Sequence, residues 1–274
     1  MTKINGLSDS NNNQKPHLGF TITPSMNIQV GMYIGNDEIT SIGKTKKLGG
    51  KEYTRIQVNV NEGHWVEITE DGIEYASLTI TGHPEDKITS IGKTKKLGGK
   101  EYTRIQVNVN EGHWVEITKD GIEYASLTIN GHPGDKITNI VETKKLGGKE
   151  YARIKVNDNK WHWVEITKDG IEYASLTITS HPEDKITYIR ETIIFGGKEY
   201  ARIKVNDNKW HWVEITKDGI EYASLTITSH PEDKITNIVE TKKLGGKEYA
   251  RIEVNDNKWH WVESTEDGIE YASL

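Results

Sequence analysis

The sequence predicts an all-β protein built from five repeats. Three observations carry this. The hairpin Trp65-Val66-Glu67-Ile68-Thr69-Glu70-Asp71-Gly72-Ile73-Glu74-Tyr75-Ala76-Ser77-Leu78 returns almost unchanged from Trp114, Trp163, Trp212 and Trp261, at a constant step of 49 residues. Each copy alternates apolar and polar residues with period two, and no stretch has helical periodicity. Each copy also carries the glycine pairs and Asp-Gly dipeptides that punctuate β-hairpins. A fixed period of this length marks a repeat architecture.

The elements follow in order. Residues 1–18 form a polar arm, rich in Asn and Ser around Asp9 to Pro16. It has too little apolar surface to offset the entropy of ordering, so it is expected to be loosely tied or disordered. Residues 19–274 form one repeat domain. It opens with closing strands over 19–33, in which Phe20-Thr21-Ile22-Thr23 echoes the Leu78-Thr79-Ile80-Thr81 that ends a repeat. The units are 34–82, 83–131, 132–180, 181–229 and 230–274.

Each unit holds four strand signals. In the second, strand A covers about 87–96, and Gly98-Gly99 makes a two-residue turn because both glycines accept positive φ. Strand B runs from Glu101 to Val109, and Asn110-Glu111-Gly112 turns the chain into strand C, Trp114 to Thr118. Asp120-Gly121 reads as the next two-residue turn, and strand D runs from Ile122 to Ile129. By the same reasoning Asp71-Gly72 sets Ile68 opposite Tyr75 and Trp65 opposite Leu78 in the first unit. His132-Pro133-Gly134-Asp135 makes the turn into the following unit.

The period-two rule puts Val66, Ile68, Ile73 and Tyr75 on one face of the hairpin, with Ile56 and Val58 of strand B. Trp65, Ala76 and Leu78 lie on the other face, with Tyr53 and Arg55. Both faces carry apolar groups, so each unit is expected to be covered on both sides, by its neighbours. Stacked around an axis, such units make a closed five-bladed β-propeller. The fifth unit stops at Leu274 without the Thr-Ile-Thr of its siblings, and the 19–33 strands would supply what is missing. The alternative is an open single-layer or solenoid-like β array, which calls for polar terminal caps. Ser264, where the other copies have Ile, is the only change of that kind in the last unit.

Composition narrows the function. The net charge is −6, from 35 basic and 41 acidic residues that are well mixed. A nucleic-acid footprint and attraction to an anionic membrane are not expected from such a surface. The chain has no cysteine, which removes disulfides, thiolate catalysis and Cys-based zinc sites. No apolar run reaches the roughly 20 residues of a membrane helix, so no membrane insertion is expected. Residues 1–14 lack the apolar core of a signal peptide, so cytoplasmic synthesis is the expectation, with later release open. The oligomeric state is not written in the sequence.

No nucleophile elbow, phosphate loop or dinucleotide fingerprint occurs, so no enzyme, no catalytic residue and no cofactor is expected. Glu67 and Glu74 share a sheet face, but five equal copies of a hydrolytic pair on one chain would be unusual. The Arg55/Glu67 pair and its copies read as an internal ion pair. His83, His132, His181 and His230 precede proline at a turn, and no second His or Cys sits at ligand spacing, so no metal site is expected.

Differences between copies point further. Units one and two read Val-Asn-Glu-Gly-His-Trp between strands B and C. Units three to five read Asp-Asn-Lys-Trp-His-Trp, which adds Trp161, Trp210 and Trp259. Aromatic faces in shallow sites stack on sugar rings, and nearby amides and carboxylates bond the hydroxyls. The candidate ligand residues are therefore Trp161, Trp210 and Trp259 with Asn157, Asn206 and Asn255, Asp158, Asp207 and Asp256, and His162, His211 and His260. Packing of these tryptophans over a neighbouring blade is the competing role. Five weak sites gain strength through multivalency, by roughly 10²–10⁴.

In repeat number and approximate repeat length the chain resembles the five-bladed propeller lectins of the tachylectin-2 type. The resemblance covers the repeat region and stops at architecture, with no shared motif and no binding residue carried over. It implies a multivalent carbohydrate-binding protein with glycan partners. The alternative is a non-enzymatic structural or protein-interaction scaffold.

Overall fold

The computed structural model describes residues 4–5, 19–20, 27–59, 62–108, 111–157, 159–206, 208–255 and 257–273. The described residues are all β, and no helix among them is long and apolar enough to cross a membrane. Strand β1 (Ile4–Asn5) pairs antiparallel with β2 (Gly19–Phe20). The first repeat holds β3 (Tyr33–Ile34), β4 (Asp37–Leu48), β5 (Lys51–Val58), β6 (Glu62–Thr69) and β7 (Gly72–Ala76). The second holds β8 (Thr79–Ile80), β9 (His83–Leu97), β10 (Lys100–Val107), β11 (Glu111–Thr118) and β12 (Gly121–Tyr124). The third holds β13 (Thr128–Ile129), β14 (His132–Leu146), β15 (Lys149–Val156), β16 (Trp161–Thr167) and β17 (Gly170–Tyr173). The fourth holds β18 (Thr177–Ile178), β19 (His181–Phe195), β20 (Lys198–Val205), β21 (Trp210–Thr216) and β22 (Gly219–Tyr222). The fifth holds β23 (Thr226–Ile227), β24 (His230–Leu244), β25 (Lys247–Val254), β26 (Lys258–Thr265) and β27 (Gly268–Tyr271).

Each repeat is one antiparallel sheet in chain order, and five such sheets in series fit a β repeat array or a propeller. The sheets have five strands rather than four. The stretch expected as one strand from Ile122 to Ile129 breaks after Tyr124, and Thr128–Ile129 pairs with the following long strand. Leu127 is buried at the break, so its burial ends the alternation that a continuous strand would keep.

Each sheet also curls on itself. The Thr81 amide donates to the Ile122 carbonyl at 2.7 Å, joining the edge beside β8 to β12, and Thr179 does the same to Ile220 at 2.8 Å. Within the curl lie Ile80, Ile88, Ile105 and Val107, all at most 3% exposed. The bend comes from irregular register in the long first strand, where β9 slips against β10 at Thr103/Ile105 and Gln106/Val107. One face of each repeat is thus closed largely by its own sheet.

Between repeats one and two, and along repeats three to five, the other face packs on the next repeat. Leu48, Tyr53, Trp65 and Leu78 cluster with Ile88 and Ile91 of the second repeat. Leu146, Tyr151, Trp163 and Leu176 cluster with Ile186 and Ile189 of the fourth. Phe195, Tyr200, Trp212 and Leu225 cluster with Ile235 and Ile238 of the fifth. The chain divides into two compact units, Met1–Leu127 and Thr128–Leu274, the first with two repeats and the second with three.

The glycine pair turns as expected. Leu97 pairs with Lys100, and Gly98 and Gly99 take φ of +61° and +77°. The Asp-Gly turn does not. Thr118 pairs with Gly121, so the loop is Lys119-Asp120 and the glycine enters the strand at φ +122°. The Thr118 hydroxyl accepts from the Asp120 amide at 3.1 Å and fixes this register. In the first repeat Ile68 accordingly faces Ile73, Val66 faces Tyr75 and Trp65 faces Ala76. The face assignment survives, because the shift is by two residues.

At the start of the chain, Tyr33–Ile34 is the only strand found within 27–34, and it pairs with Asp37–Glu38. Phe20 pairs with Ile4, while the rest of the expected arm, and Thr21-Ile22-Thr23 of the closing strands, lie outside the described residues. Ser264 is not a cap on a terminal face. It lies beneath Gly196 of the fourth repeat, where Ile117 lies beneath Gly49 and Ile215 beneath Gly147 in other repeats. The smaller side chain borders a cavity of about 380 Å³ between repeats four and five, lined also by Phe195 and Thr228.

Candidate functional site

The three distinctive tryptophans belong to strands rather than to a loop. Trp161 and Trp210 open β16 and β21, and Trp259 is the second residue of β26. Trp161 pairs across the sheet with Lys155, and Trp163 with Arg153, so these four side chains share a face. Trp161 is 42% exposed and Trp259 47%.

Cations gather on these rings. The Arg153 guanidinium lies 5.1 Å from the Trp161 ring centre and Lys155 Nζ 4.3 Å. Around Trp210 stand Arg190 at 5.6 Å, Arg202 at 5.9 Å and Lys204 at 4.8 Å. Arg251 lies 5.3 Å from Trp259. Glu253 stands opposite Trp259 where the two preceding repeats have lysine. Tyr188 meets Trp210 edge-on at 5.8 Å, and Arg153 also reaches the Tyr188 ring at 5.8 Å. The result is a strip of aromatic and cationic groups running from repeat three into repeat four.

The first two repeats explain why the extra ring matters. There a glycine holds the position of Trp161, and a Cβ at Gly63 or Gly112 would stand 2.9 Å from the guanidinium of Arg55 or Arg104. The guanidinium folds over that glycine and lies 5.3 Å from Trp65 or 5.5 Å from Trp114. Burial there pulls the Arg55 and Arg104 pKa values down. Glycine-to-tryptophan substitution between copies therefore adds a ring beside the arginine, and in repeat four Arg202 lies 5.7 Å from Trp212 as well as 5.9 Å from Trp210. The expected Arg55/Glu67 ion pair and its copies are not among the ion pairs of the described residues, where the later copies of Glu67 meet lysines instead. Glu116 meets Lys100 at 3.9 Å and Glu263 meets Lys247 at 3.2 Å, and the latter contact raises the Lys247 pKa. Glu67 and Glu74 do stand opposite each other.

The other predicted ligand residues separate from the tryptophans. His162 pairs with Ile154 and so points to the opposite face, where its ring lies 5.2 Å from Tyr173. His211 meets Tyr222 at 5.1 Å and His260 meets Tyr271 at 4.9 Å. Asn157, Asn206 and Asn255 are hydrogen-bonded to the chain itself. Their Oδ1 atoms accept from the amides of Lys136, Lys185 and Lys234 at 3.3, 3.1 and 3.2 Å. Asn255 Nδ2 also donates to Asp233 at 3.1 Å. These asparagines brace the turn, and their amides do not share the tryptophan face. Asp158, Asp207 and Asp256 lie outside the described residues.

A second cluster recurs at this opposite face. In repeat two Tyr124 donates to Asp86 at 2.7 Å, Asn108 donates to the same carboxylate at 3.2 Å, and the rings of His83 and His113 flank Tyr124 at 5.4 and 4.8 Å. Tyr124 and Asn108 hold the Asp86 carboxyl below its ordinary pKa. The start of β9, His83-Pro84-Glu85-Asp86, brings donor atoms of His83, Glu85 and Asp86 within 4.8 Å of one another, as the start of β19 does for His181, Glu183 and Asp184. Gly134 breaks the set in repeat three.

Sequence reasoning missed Tyr188 and Arg190. The signal was present, since repeat four alone reads Tyr-Ile-Arg where its neighbours read Asn-Ile-Val. In the last repeat, Arg251, Trp259, His260, Trp261 and Ala272 line an open cavity of about 410 Å³. No family model matches the chain, and no curated protein matches it.

Proposed function

We propose that this chain is a non-enzymatic, multivalent binding protein for glycans that carry carboxylate or sulfate groups. The observation that carries the reading is the half-exposed Trp161 with Arg153 and Lys155 on the same face. An indole edge and face offer stacking area for a sugar ring, and the two cations offer charge-assisted hydrogen bonds to its acid group. Trp210 with Arg190, Arg202 and Lys204 makes a second such site, and Tyr188 links the two. Trp259, with Arg251 and Glu253, makes a third with less positive charge. The sites belong to repeats three to five, so valency is three rather than five. A glycan array probed at low salt tests this. Binding to acidic glycans that weakens as salt rises is expected, and binding to no glycan overturns the reading.

A second reading is a structural scaffold. It is favoured by the engagement of the rings with the protein's own arginines, and of the asparagines and histidines with its own turns. On that reading the tryptophans only stiffen the sheet. Loss of stability without loss of any ligand, on replacing them, is its signature.

A further inference from the structure

We propose that copies of this chain stack head to tail, the tail face of the fifth repeat docking on the head face of the first repeat of a second copy. The repeats themselves supply the template. Leu48, Leu146 and Phe195 occupy one position at the tail of their repeats, are 2–3% exposed, and each packs against the next repeat. Leu244 holds the same position in the fifth repeat and is 56% exposed. At the head the counterpart is the isoleucine in the bend of the long first strand. Ile91, Ile189 and Ile238 are at most 3% exposed, whereas Ile42 of the first repeat is 36% exposed.

The turns repeat the pattern. A Cβ on Gly49 would meet Ile117 at 2.9 Å and one on Gly147 would meet Ile215 at 2.9 Å, while Gly245 has nothing within 4 Å. The tail face also carries a polar code. The Gly147 amide donates to Glu199 at 3.1 Å and the Gly196 amide to Glu248 at 3.0 Å. The Trp65 indole donates to the Ile88 carbonyl at 2.9 Å and the Trp212 indole to the Thr236 carbonyl at 3.3 Å, whereas the Trp163 indole N–H is buried without a hydrogen-bond partner. Gly245 and Trp261 are the equivalent donors of the fifth repeat, and Glu52 and the Thr40 carbonyl are the equivalent acceptors of the first, whose Ile39 carbonyl already accepts from the Gly31 amide at 2.9 Å.

The occupant that fits the tail is therefore a head of this same sequence. Such a contact is heterologous, so each added copy leaves one head and one tail for the next. It goes beyond glycan binding and stays compatible with it, because Trp161 remains 42% exposed although a repeat follows its own.

The test is sedimentation of the full chain with Ile42→Asp and Leu244→Asp variants. Both positions are solvent-exposed, and circular dichroism checks that the variants keep the native melt. The wild type is expected to grow in mass with concentration, and each variant alone to stay monomeric. An equimolar mixture of the two is expected to give dimers and nothing larger, because one intact tail meets one intact head. A wild type that is monomeric at all concentrations overturns the proposal and leaves the faces to the same chain. An Ile42→Asp variant that still self-associates overturns it in favour of a tail-to-tail contact.

Discussion

The Tyr271 hydroxyl donates to Asp233 Oδ2 across 2.6 Å, and the same bond joins residues 38 apart in every repeat. It ties the last strand of each sheet to the start of the long first strand, on the side where the sheet curls shut. Burial and the bond to Asp233 push the Tyr271 pKa from 10.0 up to about 12, and Tyr271 and Asn255 hold the Asp233 carboxyl below its ordinary value.

These shifts make the stability of the fold depend on pH. Asp37, Asp86 and Asp233 are depressed in the folded chain, so their contribution is present above the unfolded carboxylate value of about 4 and is lost as pH falls through the folded values. Tyr271 is raised, so its contribution is complete below pH 10 and is lost as pH rises through about 12. Thermal melts in acid should lose stability below about pH 4, and Asp233→Asn should flatten that loss. Absorbance at 295 nm should show the last tyrosines ionising near pH 12 or above, and Tyr271→Phe should remove one of them. Tyrosines that all titrate near pH 10 would contradict the bond.

The indole bonds between repeats give a second prediction. Trp65 is 6% exposed and donates to Ile88 at 2.9 Å. Trp65→Phe strands a buried carbonyl and should cost about 1–3 kcal/mol in chemical denaturation. Trp261→Phe, at the more open tail, should cost under about 1 kcal/mol in the isolated chain. Equal costs would mean that the indole bond contributes nothing.

A third prediction separates backbone strain from packing. Gly147 and Gly148 both have positive φ, +57° and +77°, but only Gly147 faces another side chain, with Ile215 at 2.9 Å from a new Cβ. Gly148→Ala should cost about 1–2 kcal/mol from the left-handed conformation alone. Gly147→Ala should cost more, and a double-mutant cycle with Ile215→Ala, which removes the contacting Cγ2, should recover part of the excess.

Most of the fold was legible because hairpin signals are local. Gly98-Gly99 has no other low-energy use, and the alternation from Tyr53 to Val58 fixed the faces. The curl was not legible. It depends on the Thr81 amide reaching the Ile122 carbonyl, a contact between strands distant in sequence with no signature in either. The turn falls on Lys119-Asp120 rather than on Asp-Gly because the Thr118 hydroxyl, accepting from the Asp120 amide, outweighs the Asp-Gly preference. At the site, Trp161, Trp210 and Trp259 stood out because copies differ there. Adjacency in sequence groups His162 with Trp161, yet neighbours on a strand point to opposite faces. Asn157 looked available because its partner, the Lys136 amide, lies across the sheet.

On the proposed function, Trp161, Trp210 and Trp259 bind glycan rather than hold the fold. Isothermal calorimetry on the wild type and on the Trp161→Gly/Trp210→Gly/Trp259→Gly variant, with a sulfated oligosaccharide, tests it most directly. The variant places in repeats three to five the glycine that repeats one and two already carry. The account predicts saturable heat with the wild type, none with the variant, and a midpoint of thermal unfolding that is nearly unchanged. Equal heats for both proteins, or a variant that loses several kcal/mol of stability as buried aromatics do, would contradict it.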